Sequence, residues 1–152
     1  MIKLKIKNST IEPEFTYKLY KNIAGKDIEK RTDKFNTFLN GIFNDDLNQI
    51  IYFFYCVAGG ELSEDEIARQ VGDQKGFDNV HETVNGILQG FMSSGFFATA
   101  VKQLINSAND SIKGMQEASK ISSLSKEELE VGKIQIAQQK KNVKAMEERI
   151  KK

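Results

Sequence analysis

The sequence holds one proline, one cysteine, one histidine and no tryptophan. A lone cysteine, Cys56, excludes an internal disulfide, and its place inside an apolar run marks it as a small buried hydrophobe. A lone histidine, His81, has no second imidazole or thiol at ligand spacing, so no zinc site of familiar type can be assembled. Nothing around Cys56 resembles an activated-thiol turn, which sets aside a Cys56–His81 nucleophile and base. The net charge of +1, from 22 basic and 21 acidic residues, supplies no field for collecting nucleic acid. The longest apolar run, Ile50 to Ala58, is about half of the roughly 20 residues that span a bilayer as a helix. The N-terminus, MIKLKIKNST, alternates charge and apolarity and is not a signal peptide. These absences point to a cytoplasmic chain with no nucleic-acid or membrane partner, no cofactor, no metal and no catalytic residues.

What is present begins with Ile2, Leu4 and Ile6 alternating with Lys3, Lys5 and Lys7, the period of a half-buried strand. Asn8-Ser9 supplies a turn, and a second strand is expected over 10–15, at an edge because Pro13 lacks an N–H. From Tyr17 the spacing changes to threes and fours: Tyr17, Leu19, Tyr20 and Ile23, then Phe35, Phe38, Leu39, Ile42 and Phe43. Asn44-Asp45-Asp46 can cap the next helix, where Leu47, Ile50, Ile51, Phe53, Phe54 and Val57 are apolar nearly all round, as in the centre of a bundle. Gly59-Gly60 can stop that helix, and Ser63 with Glu66 forms an S-x-x-E box that starts another over about 64–71. Val80, Val84, Ile87, Leu88, Phe91 and Met92 mark a longer helix, which resumes after Gly95 through Val101, Leu104 and Ile105.

Two clusters invite a sharper reading. The acids Glu61, Glu64, Asp65 and Glu66 lack the alternating pattern and the twelfth-position glutamate of a calcium loop, and the positive end of a helix explains them. LSEDEIARQVG, residues 62–72, resembles the first helix of a helix-turn-helix, giving a small DNA-binding regulator as the alternative reading. The segment that would then read bases carries no Arg or Lys after Lys75, which weighs against it.

Beyond Ile105 aromatic residues vanish and Lys, Glu, Gln and Ser take over. The expected organisation is a compact helical domain with an N-terminal β-hairpin over 1–106 and a polar, helical or partly disordered appendage over 107–152. Ser125 caps a helix there, on which Ile136, Val143, Met146 and Ile150 recur at about heptad spacing. That seam is thin and suits an exposed or partner-dependent helix. The fold class is mainly α with a short N-terminal β-hairpin, a small helical bundle plus an extended C-terminal helix.

A short basic hairpin (MIKLKIKNST into EFTYK), an amphipathic helix ending in an acidic step (FNTFLNGIFNDD), an apolar helix (LNQIIYFFYCVAGG) and a capped helix (LSEDEIARQVG) occur in that order. Over roughly 1–105 this arrangement resembles the tail assembly chaperones of long-tailed bacteriophages. The resemblance implies a non-enzymatic protein of the host cytoplasm, absent from the mature virion. Such a protein binds the phage tape measure protein, keeps it soluble and helps the tail tube protein polymerise around it. Self-association into a homo-oligomer is compatible with exposed apolar positions. A helical partner calls for an apolar groove, and Phe91, Met92, Phe96 and Phe97 are the candidate partner-binding residues, in a segment that Gly90 and Gly95 leave crowded with large apolar groups yet poorly suited to rigid internal packing.

Overall fold

The computed structural model describes residues 1–120 and 124–151; residues 121–123 and 152 of the polar appendage lie outside it. Among the described residues it is mainly α-helical with one N-terminal β-hairpin, as the patterning implies. The elements are β1 (Leu4–Ile6), β2 (Ser9–Ile11), α1 (Tyr17–Ala24), a 3₁₀ turn (Ile28–Lys30), α2 (Arg31–Phe43), α3 (Leu47–Val57), α4 (Glu64–Asp73), α5 (Val80–Ser93), α6 (Gly95–Ala118) and α7 (Lys126–Ile150). The chain divides into two compact units, Met1–Ala98 and Thr99–Lys152, so the boundary falls inside the continuous helix α6.

In the first unit the apolar periodicity becomes burial. Phe35, Phe38, Leu39 and Ile42 line the buried face of α2, and Val84, Ile87, Leu88 and Phe91 that of α5. Both sets follow the i, i+3, i+4, i+7 rhythm of one helical stripe. Phe91 sits at the centre of an aromatic cluster, with ring centroids 5.6 Å from Phe15, 6.0 Å from Phe35, 5.8 Å from Phe53 and 4.7 Å from Phe97. One side chain therefore ties together the segment after the hairpin, α2, α3, α5 and the start of α6. Each well-oriented aromatic pair contributes about 0.5–1.5 kcal/mol beyond burial alone.

The helix ends follow the capping residues read from the sequence. Asp46 accepts from the Asn48 N–H at 2.9 Å, Ser63 from Glu66 at 3.1 Å and Ser125 from Glu128 at 3.1 Å. Gly59 and Gly60 take φ of 64° and 81°, the left-handed backbone that ends α3. Ser94 is extended, closing α5 while its carbonyl accepts from Ala98 at 2.8 Å to open α6. The box at Ser63 is only partly as expected, since the Glu66 carboxylate turns to Arg69 and Gln70.

The hairpin departs from expectation. Ile6 pairs with Ser9, so the two-residue loop is Lys7-Asn8, one residue earlier than expected, with Lys7 at φ 55°. The second strand stops at Ile11 and does not reach Phe15. Pro13 cannot extend the ladder, and Phe15 turns into the aromatic cluster instead.

The outer edge of β1 is closed by α4. Gln70 accepts from the Lys5 N–H at 2.7 Å and donates to the Lys5 carbonyl at 3.0 Å; Gln74 accepts from the Lys3 N–H at 2.9 Å and donates to the Lys3 carbonyl at 2.6 Å. The spacings match: four helical residues rise about 6 Å, and two strand residues about 6.6 Å. Two side-chain amides thereby stand in for a neighbouring strand.

In the second unit, α6 and α7 share a polar groove lined by residues that include Asn106, Asp110 and Lys113 of α6 and Lys140, Lys144 and Glu147 of α7. Ile112 and Val143 also line this groove and are buried. The C-terminal helix is thus not the isolated exposed helix its thin seam implied, although Val131 and Ile134 remain exposed.

Gly90 offers a direct check on the packing. A Cβ built there would run into the Phe15 ring, so Gly90 is what lets Phe15 lie on α5. Helix propensity alone favours Gly90→Ala by about 1 kcal/mol. An overpacking cost of about 1–3 kcal/mol should outweigh that gain, leaving a net loss of up to about 2 kcal/mol in urea unfolding. Combining the change with Phe15→Leu should recover part of the loss, whereas a higher unfolding midpoint for Gly90→Ala alone would contradict the close approach.

Candidate protein-interaction face

The four aromatic and methionine positions nominated for partner binding do not share one groove. Phe91 and Phe97 are fully buried and stacked on each other, Met92 is half-buried, and Phe96 is 44% exposed. The nomination of Phe91 and Phe97 as contact residues is therefore corrected: both belong to the core. Neighbouring helical residues point about 100° apart. Phe96 and Phe97 are consequently divided between surface and interior.

Phe96 has company at the surface. Its ring meets Tyr17, itself 49% exposed, edge to face at 5.1 Å, and Tyr20 at 4.7 Å. Lys21 Nζ lies 5.5 Å from the Tyr17 ring centroid, and Arg31 Nη1 donates to Tyr17 Oη at 3.1 Å. Arg31 is fixed from behind, because its Nε donates to the Gly25 carbonyl at 2.8 Å and its Nη2 to the Lys26 carbonyl at 3.3 Å. The Tyr20 hydroxyl is pushed above its usual range by burial first and by Tyr17 second, with Arg31 and Thr32 opposing. The result is an aromatic surface edged by two positioned cations. Such a face suits an amphipathic partner segment with an apolar anchor and acidic neighbours. Tyr17 was legible only as an apolar helical position; its pairing with Phe96 depends on tertiary packing.

The residues weighed for chemistry have other tasks. His81 Nδ1 lies 3.0 Å from Asp45 Oδ2, linking the start of α5 to the turn between α2 and α3. Among the described residues no group of three or more His, Cys, Asp or Glu side chains is arranged to hold a metal ion. Nor is any helix there long and apolar enough to cross a membrane. In the α4–α5 pair considered as a helix-turn-helix, the guanidinium of Arg69 is engaged by Glu66 and by Asp73, the latter at 2.8 Å. Those contacts hold the Glu66 carboxyl down at about 2, through hydrogen bonds from Arg69 and then Gln70. A phosphate would have to displace two carboxylates to reach Arg69.

Cys56 closes the end of α1. Its Sγ donates to the Asn22 carbonyl at 3.3 Å, Tyr52 Oη donates to the Ile23 carbonyl at 2.7 Å, and Asn22 Nδ2 returns a bond to the Cys56 carbonyl at 3.1 Å. These bonds occupy carbonyls that a helix C-terminus leaves without intrahelical partners. Burial pushes the Cys56 thiol up from 9.0 to about 11, the opposite of an activated nucleophile. Burial, followed by the neighbouring Cys56, pushes the Tyr52 hydroxyl up from 10.0 to about 12.

Both shifts have a sign that can be measured. The fold favours the protonated forms, so their contribution is complete below the unfolded values and is lost as pH rises through the folded ones. Stability should begin to fall above pH 9.0, through the thiol up to about 11 and the phenol up to about 12. Cys56→Ala should remove the earlier part of that decline in urea midpoints measured against pH. An unfolding midpoint that holds or rises above pH 9.0 would overturn the assignment. Compared with protein-family models, with curated proteins and with solved structures, the chain matches none.

Proposed function

We propose that this protein is a tail assembly chaperone of the long-tailed bacteriophage type, acting without catalysis in the host cytoplasm. It binds the tape measure protein, keeps that long helical chain soluble, assists the tail tube protein to polymerise around it, and is left out of the finished virion. The observation that carries this reading is the order of elements. A short hairpin leads through the short helix α1 and a 3₁₀ turn to α2, an acidic step at Asp45-Asp46, the apolar α3 stopped at Gly59-Gly60, the Ser63-capped α4 and then longer helices. That order and those junctions are what the resemblance implies.

The surface supports the same reading. Tyr17 and Phe96 expose aromatic area beside Lys21 and Arg31, a combination matched to one face of an amphipathic helix. Tyrosine and arginine, here Tyr17 and Arg31, are among the residue types enriched at interface hot spots, where truncation costs about 2 kcal/mol or more.

Co-expression with a cognate tape measure protein should move that protein from the insoluble to the soluble fraction and co-purify the two. Phe96→Glu should weaken the captured complex by about tenfold or more while leaving the fold intact, because the ring is partly solvent-exposed. The reading fails if the tape measure protein is no more soluble with its companion than without it. It fails equally if the purified chain binds duplex DNA at moderate salt, the behaviour of the regulatory alternative.

A further inference from the structure

The hairpin has two edges, and they are treated differently. On β1, the N–H and C=O of Lys5 and of Lys3 turn away from β2 and are taken up by Gln70 and Gln74. Lys5 pairs with Thr10 in the ladder. Because the Lys5 groups face outward, this is a non-hydrogen-bonded antiparallel pair, and the Thr10 N–H and C=O must face outward on the opposite edge. The same register continued by one step of two sets Lys3 across from Glu12, whose side chains meet at 3.3 Å. The main-chain groups of Glu12 then face the same way as those of Thr10. The outer edge of β2 thus presents the mirror image of the pattern that α4 satisfies on β1.

Beside that edge lies a groove of about 620 Å³, whose lining includes Ile6, Ile11, Leu19, Val57 and Ala58, with Lys18 and Glu61 among its polar residues. It separates the inward face of β2 from α1 and the end of α3. Strands in a sheet lie about 4.8 Å apart, and a sheet of two strands leaves this space uncovered.

We propose that the β2 edge accepts an extended segment of another polypeptide as a third strand. Its alternate side chains enter the groove, and its main chain pairs with Thr10 and Glu12. This site is separate from the aromatic face and requires a different partner conformation. An extended chain is the occupant the edge specifies, because outward N–H and C=O pairs two residues apart match strand geometry, whereas a helix satisfies its own main chain. The lining is mixed: its apolar part suits small to medium apolar side chains at the inward positions, and its three carboxylates, Glu12, Glu14 and Glu61, against two lysines, Lys7 and Lys18, favour a basic residue beside them. Pro13 ends the donor row and limits the added strand to a short one.

The test titrates the full-length, nitrogen-15-labelled protein with an acetylated, amidated peptide of alternating valine and threonine flanked by lysine. At peptide concentrations up to about 1 mM, a weak-binding regime, saturable shifts should centre on Thr10, Glu12, Leu19 and Val57. Amide exchange at Thr10 and Glu12 should slow by about tenfold or more as their N–H groups become paired. Thr10→Pro removes an outward donor at a position where an edge strand tolerates proline. It should weaken binding by about tenfold, the loss of one well-made main-chain contact. Val57→Arg fills the groove without touching the strand and should weaken binding to a similar extent. The proposal is overturned by absence of saturable binding, or by binding that leaves Thr10 and Glu12 exchange unchanged. Tighter binding of a helical peptide of equal composition would overturn it too, as would concentration-dependent pairing of β2 between copies of the chain with no response to peptide.

Discussion

The ring of Phe91 is the contact on which the larger part of the fold depends. It is fully buried, and aromatic rings from the segment after the hairpin, α2, α3 and α6 converge on it. This convergence sets the close approach of Phe15 to Gly90. It also takes the Phe15 ring into the core, beyond the end of β2 at Ile11. With Phe97 stacked on Phe91, its neighbour Phe96 is turned outward, where it meets Tyr17 and Tyr20. One packing decision in the core thereby determines which aromatic residue of the segment reaches the surface.

Main-chain hydrogen bonding imposes the second constraint. A two-stranded hairpin is marginal by itself, and here its β1 edge is saturated by Gln70 and Gln74 of α4. The end of α1 is treated comparably, with Tyr52, Cys56 and Arg31 donating to its carbonyls and to those just beyond it. Side chains thus carry much of the connection between elements, since buried polar backbone groups are costly without partners. Against that background the uncovered β2 edge, with its adjoining groove, is distinctive. The molecule offers two chemically different surfaces, one aromatic and cationic, the other made of main-chain donors and acceptors.

Much of the architecture was legible because it follows from local rules. Helical spacing marked the buried faces of α2 and α5, and Asp46, Ser63, Ser125 and Gly59-Gly60 marked the helix boundaries. What escaped was non-local. Gln70 and Gln74 look like ordinary solvated glutamines, and only the position of α4 beside β1 gives them strand-like work. The hairpin loop was displaced by one residue because Lys7 adopts a left-handed backbone that Asn8 suits better by composition. The candidate face was half legible: the segment 91–97 was correctly singled out as apolar and crowded, but hydrophobicity alone does not distinguish Phe96 from Phe97. The spacing on α6 carried the missing signal, since Phe97 stands four and seven residues before the buried Val101 and Leu104 whereas Phe96 stands so before Ala100 and Gln103, and Tyr17, from the other end of the unit's sequence, completes the surface.

One apolar segment is thus divided between core and surface, with Phe91 and Phe97 buried and Phe96 exposed. Site-assigned aromatic proton–carbon spectra recorded with a soluble gadolinium chelate test this division directly, because relaxation reports each ring's distance from solvent. The Phe96 ring should broaden strongly while the Phe91 and Phe97 rings stay protected. Equal broadening of all three would place the whole segment at the surface and contradict the division.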